Sequence, residues 1–168
     1  MTVVISDASS LILLEKIKLL KYIIENNKLV IPNAVYDEAI KKGIEKKYLD
    51  AVELDKKAKE GKIKVILIKD KKKFDEIKTN FNLARGETEA IVLYYEKKGH
   101  ILAVDDLKAM KYCDYYNIPF TTTINLVLDY FNKRTINKQE AIEMIKNLGI
   151  YGRYKNEIIF YAIKQIGE

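Results

Sequence analysis

The chain has 168 residues, 48% of them hydrophobic, which suits one folded domain and is too apolar for a disordered tail. One cysteine, Cys113, excludes an internal disulfide, and one cysteine with one histidine excludes the usual zinc ligand sets. The formal net charge of +6 suits a partner that is a polyanion, and no uncharged apolar run of about 18 residues exists to span a membrane.

No basic segment precedes an apolar run at the start, so no signal peptide is expected and a cytoplasmic setting is inferred. Val3-Val4-Ile5 reads as a buried strand ending at Ser6-Asp7. Ser9 and Ser10 precede an apolar run, which predicts one helix towards Glu25, broken by Asn26-Asn27. Lys28 to Ile31 is a second strand, stopped by Pro32. Asn33 opens a helix to about Lys42, closed by Gly43, and a lysine-rich helix spans about Lys47 to Lys59. Lys62 to Ile68 is a third strand. A charged helix or loop covers Asp70 to Asn80, and a helix runs from Glu87 to about Lys98. Ile101 to Val104 is a fourth strand, stopping at Asp105-Asp106, with a helix over 107–116. Ile118 to Thr121 is a short fifth strand. Helices near 124–132, 138–147 and 156–166 close the chain. Strands alternating with helices predict an α/β fold with a parallel sheet of about five strands and helices on both faces. Residues 1–168 read as a single domain, with the C-terminal helices 136–168 as its appendage.

Ligands of such sheets bind in the crevice beyond the carboxyl ends of the strands. Asp7 follows the first strand there, Glu38 stands on the helix after the second, and Asp105 and Asp106 follow the fourth. Glu87 and Glu89 begin the helix that leads into the fourth. Helical spacing sets Glu87 on a stripe with Ala90, Ile91 and Tyr94, and Glu38 on one with Ala34 and Val35. Glu89 has more mixed company, so Glu87 ranks above it. An inward carboxylate is costly unless it is paired or metal-bound. Carboxylates gathered in one cleft suit Mg²⁺ or Mn²⁺, and such ions activate water for phosphodiester cleavage without histidine or cysteine. His100, in a turn beside Gly99, is not needed. The plainer alternative stays open: Asp7, Ser9, Ser10 and Asp105 all stand where helix N-caps occur, and Glu87 suits a first helical turn.

The segments ISDASSLILLEKI (Ile5–Ile17), IPNAVYDEAI (Ile31–Ile40), GETEAIVLYYEKKGHILAVDD (Gly86–Asp106) and the later PFTTTINLVL, in this order, resemble PIN domains. The short archaeal and bacterial branch, which includes the VapC-like toxin ribonucleases of toxin–antitoxin modules, is most similar. The resemblance implies a PIN-like (Rossmann-like) three-layer α/β/α fold and a Mg²⁺- or Mn²⁺-dependent ribonuclease. Carried over by position, the four acids are Asp7, Glu38, Glu87 and Asp105, with Asp7, Glu87 and Asp105 as metal ligands. Ser9, Glu89, Asp106, Thr122 and Thr123 support them. The branch usually has a glycine-containing G-T-x-G after the fifth strand, where this chain has Thr122-Thr123-Ile124-Asn125; without the glycines the close backbone approach to a phosphate is not expected, and the threonine hydroxyls would replace only some of its contacts.

The implied partners are an RNA substrate, a second copy in a homodimer and a small antitoxin protein. Residues 41–73 hold 13 lysines against six acids, a stretch that either tracks a phosphate backbone or forms a solvated, salt-bridged surface. Lys108 and Lys111, just past the acid pair, are candidate nucleic-acid contacts. The twelve tyrosines could offer stacking platforms for single-stranded bases, but Tyr94, Tyr95, Tyr112, Tyr115 and Tyr116 lie in helical segments, where core or interface packing is expected. The rival expectation is a catalytically inactive PIN-like RNA-binding or protein-interaction module.

Overall fold

The computed structural model describes residues 1–98 and 101–167, so the turn assigned to His100 lies outside the described residues. Five parallel strands form one sheet in the order β3-β2-β1-β4-β5. They are β1 (Val3–Ser6), β2 (Lys28–Pro32), β3 (Ile63–Ile66), β4 (Ile101–Ala103) and β5 (Phe120–Thr121). Side chains alternate between the faces, as the two-residue period of a strand requires. Val4, Leu29, Ile31 and Ala103 pack into one core cluster, and Ile5, Val30 and Leu102 into the other. Helices cover both clusters, which gives the three-layer α/β/α arrangement expected of a PIN-like chain.

The first cluster is closed by α1 (Ala8–Lys16), α2 (Leu20–Asn26), α5 (Leu49–Lys59), α9 (Thr123–Asn132), α10 (Lys138–Tyr151) and α11 (Asn156–Gly167). Ala141, Met144, Ile145, Leu148, Ala162 and Ile166 of the last two helices are buried in it. The second cluster is closed by α6 (Lys71–Phe81), α7 (Arg85–Lys97) and α8 (Leu107–Tyr115). Between α1 and α5, Glu15, 4% exposed, is paired with Lys57 at 3.0 Å.

Three local expectations change. The single helix towards Glu25 is two helices, because Lys18 takes a left-handed backbone (φ 66°) and the redirected chain buries Leu19 and Leu20. Gly43 does not end its helix. The segment continues as α3 (Asn33–Val35), a π-helical turn (Tyr36–Lys41) and α4 (Lys42–Glu45). The glycine serves close packing instead: a Cβ there would stand 2.5 Å from the Cβ of Ala51 on α5. Finally, α10 extends past Asn147 to Tyr151 because Leu148 still has a core to fill.

Strand order reverses across β1, with β2 on one side and β4 on the other. In open α/β sheets this switch point opens a crevice at the carboxyl ends of the strands. Ser6 of β1 is in register with Ala103 of β4, so Asp7 and Asp105 leave neighbouring strands at the same end.

Candidate active site

Asp7 is the first residue past β1, held by its own N–H, which donates to the Ala103 carbonyl at 3.1 Å. It is also the N-cap of α1: its Oδ1 accepts from the Ser10 N–H at 2.8 Å. The cap alternative is therefore real, but it uses only one oxygen. Asp7 is 1% exposed, and its Oδ2 is buried and accepts no hydrogen bond from the protein. The pKa of Asp7 is raised to about 7, chiefly by burial. The Ser10 N–H opposes the rise, and the charges of Asp105 and Glu87 add to it.

Asp105, two residues past β4, has the opposite surroundings. Its Oδ2 accepts from the Ser10 hydroxyl at 2.6 Å and from the Thr123 hydroxyl. Its Oδ1 accepts from the Thr123 N–H at 3.1 Å and from the Tyr154 hydroxyl. The N-cap of α8 is Asp106, not Asp105: Asp106 accepts from the N–H groups of Lys108 at 2.8 Å and Ala109 at 3.1 Å.

Glu87, half-buried in the first turn of α7, accepts from the Ala84 N–H at 2.9 Å. Its pKa is raised, chiefly by burial, with the charges of Asp106 and Glu38 adding and the Ala84 N–H and Lys108 opposing. Glu38 lies in the π-helical turn and is exposed, whereas its spacing predicted an inward position. A π turn carries an extra residue per hydrogen-bonded ring, which rotates the residues after it about the helix axis. The Glu38 carboxylate rests against α7, its Oε2 3.0 Å from where a Cβ on Gly86 would stand.

Glu89 faces a different way from the mixed surface expected. It is 4% exposed, accepts from the Ala34 N–H at 2.9 Å, and pairs with the Arg85 guanidinium at 3.0 Å. It thus ties the start of α3 to α7. Ser9 is exposed, and it is Ser10 whose hydroxyl reaches Asp105. Thr122 caps α9, accepting from the Asn125 N–H at 3.3 Å, while Thr123 donates to Asp105. The charges of Asp105 and Glu87 thus act on Asp7, and those of Asp106 and Glu38 on Glu87, across the crevice.

Residues 3–168 match a family model described as a PIN domain. The chain belongs to the PIN-domain family. Neither a curated protein nor a solved structure matches it. PIN domains are generally nucleases, which act on nucleic acid and in general use divalent metals. Among the described residues, no three Asp, Glu, His or Cys side chains stand close enough to grip an ion as they are. The donors nevertheless fit a hard cation. They are all oxygens, and one of them, Asp7 Oδ2, is buried with no other partner. No helix among the described residues is long and apolar enough to cross a membrane.

Beside Glu87 and Asp106 this PIN domain has a cleft of about 370 Å³, lined also by Lys78, Asn82, Leu83, Ala84 and Lys108. Lys111, one turn after Lys108, is exposed and does not line it. The lysines of 41–73 include several that are ion-paired: Lys41 with Asp37, Lys57 with Glu15, Lys59 with Asp55 and Lys62 with Glu60. The salt-bridged surface therefore accounts for these four of the thirteen lysines, and the phosphate-tracking alternative stays open for the others. Sequence reading missed Ser10 as a partner of Asp105, and missed Tyr154 altogether. The spacing of Ser10 from a capping aspartate signals its N–H bond to Asp7, not the reach of its hydroxyl to Asp105. Tyr154 had no signal, being 49 residues beyond the acid it touches.

Proposed function

We propose that this PIN domain is a Mg²⁺- or Mn²⁺-dependent endoribonuclease that hydrolyses RNA phosphodiester bonds at the acidic crevice. The observation that carries the reading is Asp7 Oδ2, a buried carboxylate oxygen with no partner, acted on by the charges of Asp105 and Glu87. Burying such an oxygen costs several kcal/mol in order of magnitude unless something positive meets it. Asp7, Glu87 and Asp105 would hold the cation, and Glu38 would complete the pocket. The bound cation would supply an activated water and charge stabilisation of the leaving oxygen.

The residues of the chain divide the remaining work. Ser10 and Thr123 orient the Asp105 carboxylate. The Ala84 N–H orients the Glu87 carboxylate. Lys78 and Lys108 flank the cleft and offer positive charge to the phosphate backbone. Single-stranded RNA is the substrate to assay.

Asp7→Asn is expected to abolish Mn²⁺-dependent cleavage of single-stranded RNA, with the circular dichroism of the folded protein unchanged. Cleavage that persists in EDTA would sink the reading. One observation favours the rival module: the acids do not form a ready metal grip, and Asp105 is engaged by hydroxyl donors. Tight RNA binding without turnover at any Mn²⁺ concentration would decide for it. A VapC-like toxin role, a small antitoxin and a homodimer belong to the same proposal. Light scattering of the chain alone, and with the product of a neighbouring short reading frame, tests them.

A further inference from the structure

The two aspartates at the switch point are provisioned unequally. Asp7 has one oxygen capped and one empty. A carboxylate offers about four lone-pair sites. On Asp105 all four are taken, by the Ser10 hydroxyl, the Thr123 hydroxyl, the Thr123 N–H and the Tyr154 hydroxyl. Asp105 therefore cannot receive a cation, or a water held by one, until a donor leaves.

The donors differ in how firmly they are placed. Ser10 and Thr123 are fully buried, on α1 and α9, helices packed on the sheet. Tyr154 is only partly buried, packed at the margin of the first core cluster, and comes from 152–155, the stretch between α10 and α11 that is neither helix nor strand. Its hydroxyl accepts from the Ile124 N–H at 3.3 Å, so a side chain from the C-terminal helices reaches the start of α9 and the fourth acid together. Gly152 makes room for it. A Cβ there would stand 2.9 Å from Tyr154 Cδ2 and 2.8 Å from the Leu148 carbonyl oxygen, so only glycine lets the ring lie as it does.

We infer that Tyr154 is a latch on Asp105: its hydroxyl fills the last lone pair of that carboxylate in the resting protein and must swing away before Asp105 can serve the metal site. Tyr154 is a positioning residue that acts through Asp105, and it links the C-terminal helices to the state of the acidic crevice. The inference rests on the metal-dependent reading of that crevice.

The test measures Mn²⁺ binding calorimetrically to the whole chain, as wild type, Tyr154→Phe, Gly152→Ala and Asp7→Asn, with thermal melts to verify folding. Tyr154→Phe keeps the ring and removes the donor. A hydrogen bond to a charged group sets the scale, so Mn²⁺ is expected to bind about tenfold more tightly. Gly152→Ala keeps the hydroxyl but crowds the ring off its seat, so it should shift affinity the same way. In the wild type, amide hydrogen exchange at 152–155 should rise when Mn²⁺ saturates the protein. Equal or weaker Mn²⁺ binding by a folded Tyr154→Phe variant, with binding still dependent on Asp7, overturns the latch and leaves the metal centre standing. If Mn²⁺ binds no variant in an Asp7-dependent way, the metal-centre reading itself falls, and the latch with it.

Discussion

Replacing Asp7 by Asn tests the electrostatics of the crevice without any substrate. Burial raises the pKa of Asp7 from 3.8 to about 7, against the pull of the Ser10 N–H. Between those values the folded protein holds a proton that the unfolded chain has released. Stability must then fall as pH rises from about 4 to about 7, and change no further once both states are ionised. At about 1.36 kcal/mol per pH unit, the fall attributable to Asp7 is about 4 kcal/mol. That is a large part of the roughly 5–15 kcal/mol by which a domain is stable. Urea unfolding in EDTA from pH 4 to pH 8 measures it. Other carboxylates titrate in both proteins, so the difference between wild type and Asp7→Asn isolates this one. The variant should gain on the wild type by about 4 kcal/mol across the range, whatever the amide itself costs at the Oδ2 position. Saturating Mn²⁺ should abolish most of the wild-type fall and none of the variant's profile. Parallel pH profiles for the two proteins would refute the account, since they would mean that Asp7 is ionised at little cost.

Two other changes separate structure from function. Glu89→Ala removes the acceptor of the Ala34 N–H and the partner of Arg85, so it should cost about 1–3 kcal/mol in urea unfolding while Asp7-dependent Mn²⁺ binding persists. A large loss of Mn²⁺ affinity in a folded Glu89→Ala protein would return Glu89 to the metal site. Lys108→Ala should leave stability within about 0.5 kcal/mol, because the side chain is exposed. It should weaken RNA binding and lower the slope of log K against log salt by about 0.7, the value of one phosphate contact on a single strand. An unchanged slope would remove Lys108 from the RNA path.

The alternation of strands and helices was legible because each short β-branched run is bounded by a clear stop, such as Pro32 or Asp105-Asp106. What escaped was tertiary in origin. Gly43 has the look of a helix terminator, yet the demand on it comes from Ala51 on the next helix. Lys18 carries no turn signature, and its left-handed backbone is imposed by the burial of Leu19 and Leu20 on either side of the new helix start. The direction of Glu38 also could not be read from a 3.6-residue period, because the turn that carries it is π-helical.

The acidic residues themselves could be placed from sequence, since strand ends fix where they leave the sheet, but their chemical states could not. Asp7 and Asp105 leave adjacent parallel strands at the same end, and register alone makes them near equivalents. The difference lies in donors contributed from elsewhere in the chain. Ser10 gives its N–H to Asp7 and its hydroxyl to Asp105, while Thr123 and Tyr154 serve Asp105 only. One carboxylate is thereby left short of partners and its pKa driven up, while the other is filled. A cation entering the crevice would gain most at Asp7 Oδ2 and would have to compete at Asp105. Metal occupancy should therefore begin at the residue after β1, and the competition at Asp105 is with hydroxyls from α1, from α9 and from the stretch before α11. Thus the C-terminal helices, which add no acid to the crevice, still bear on how readily it accepts positive charge.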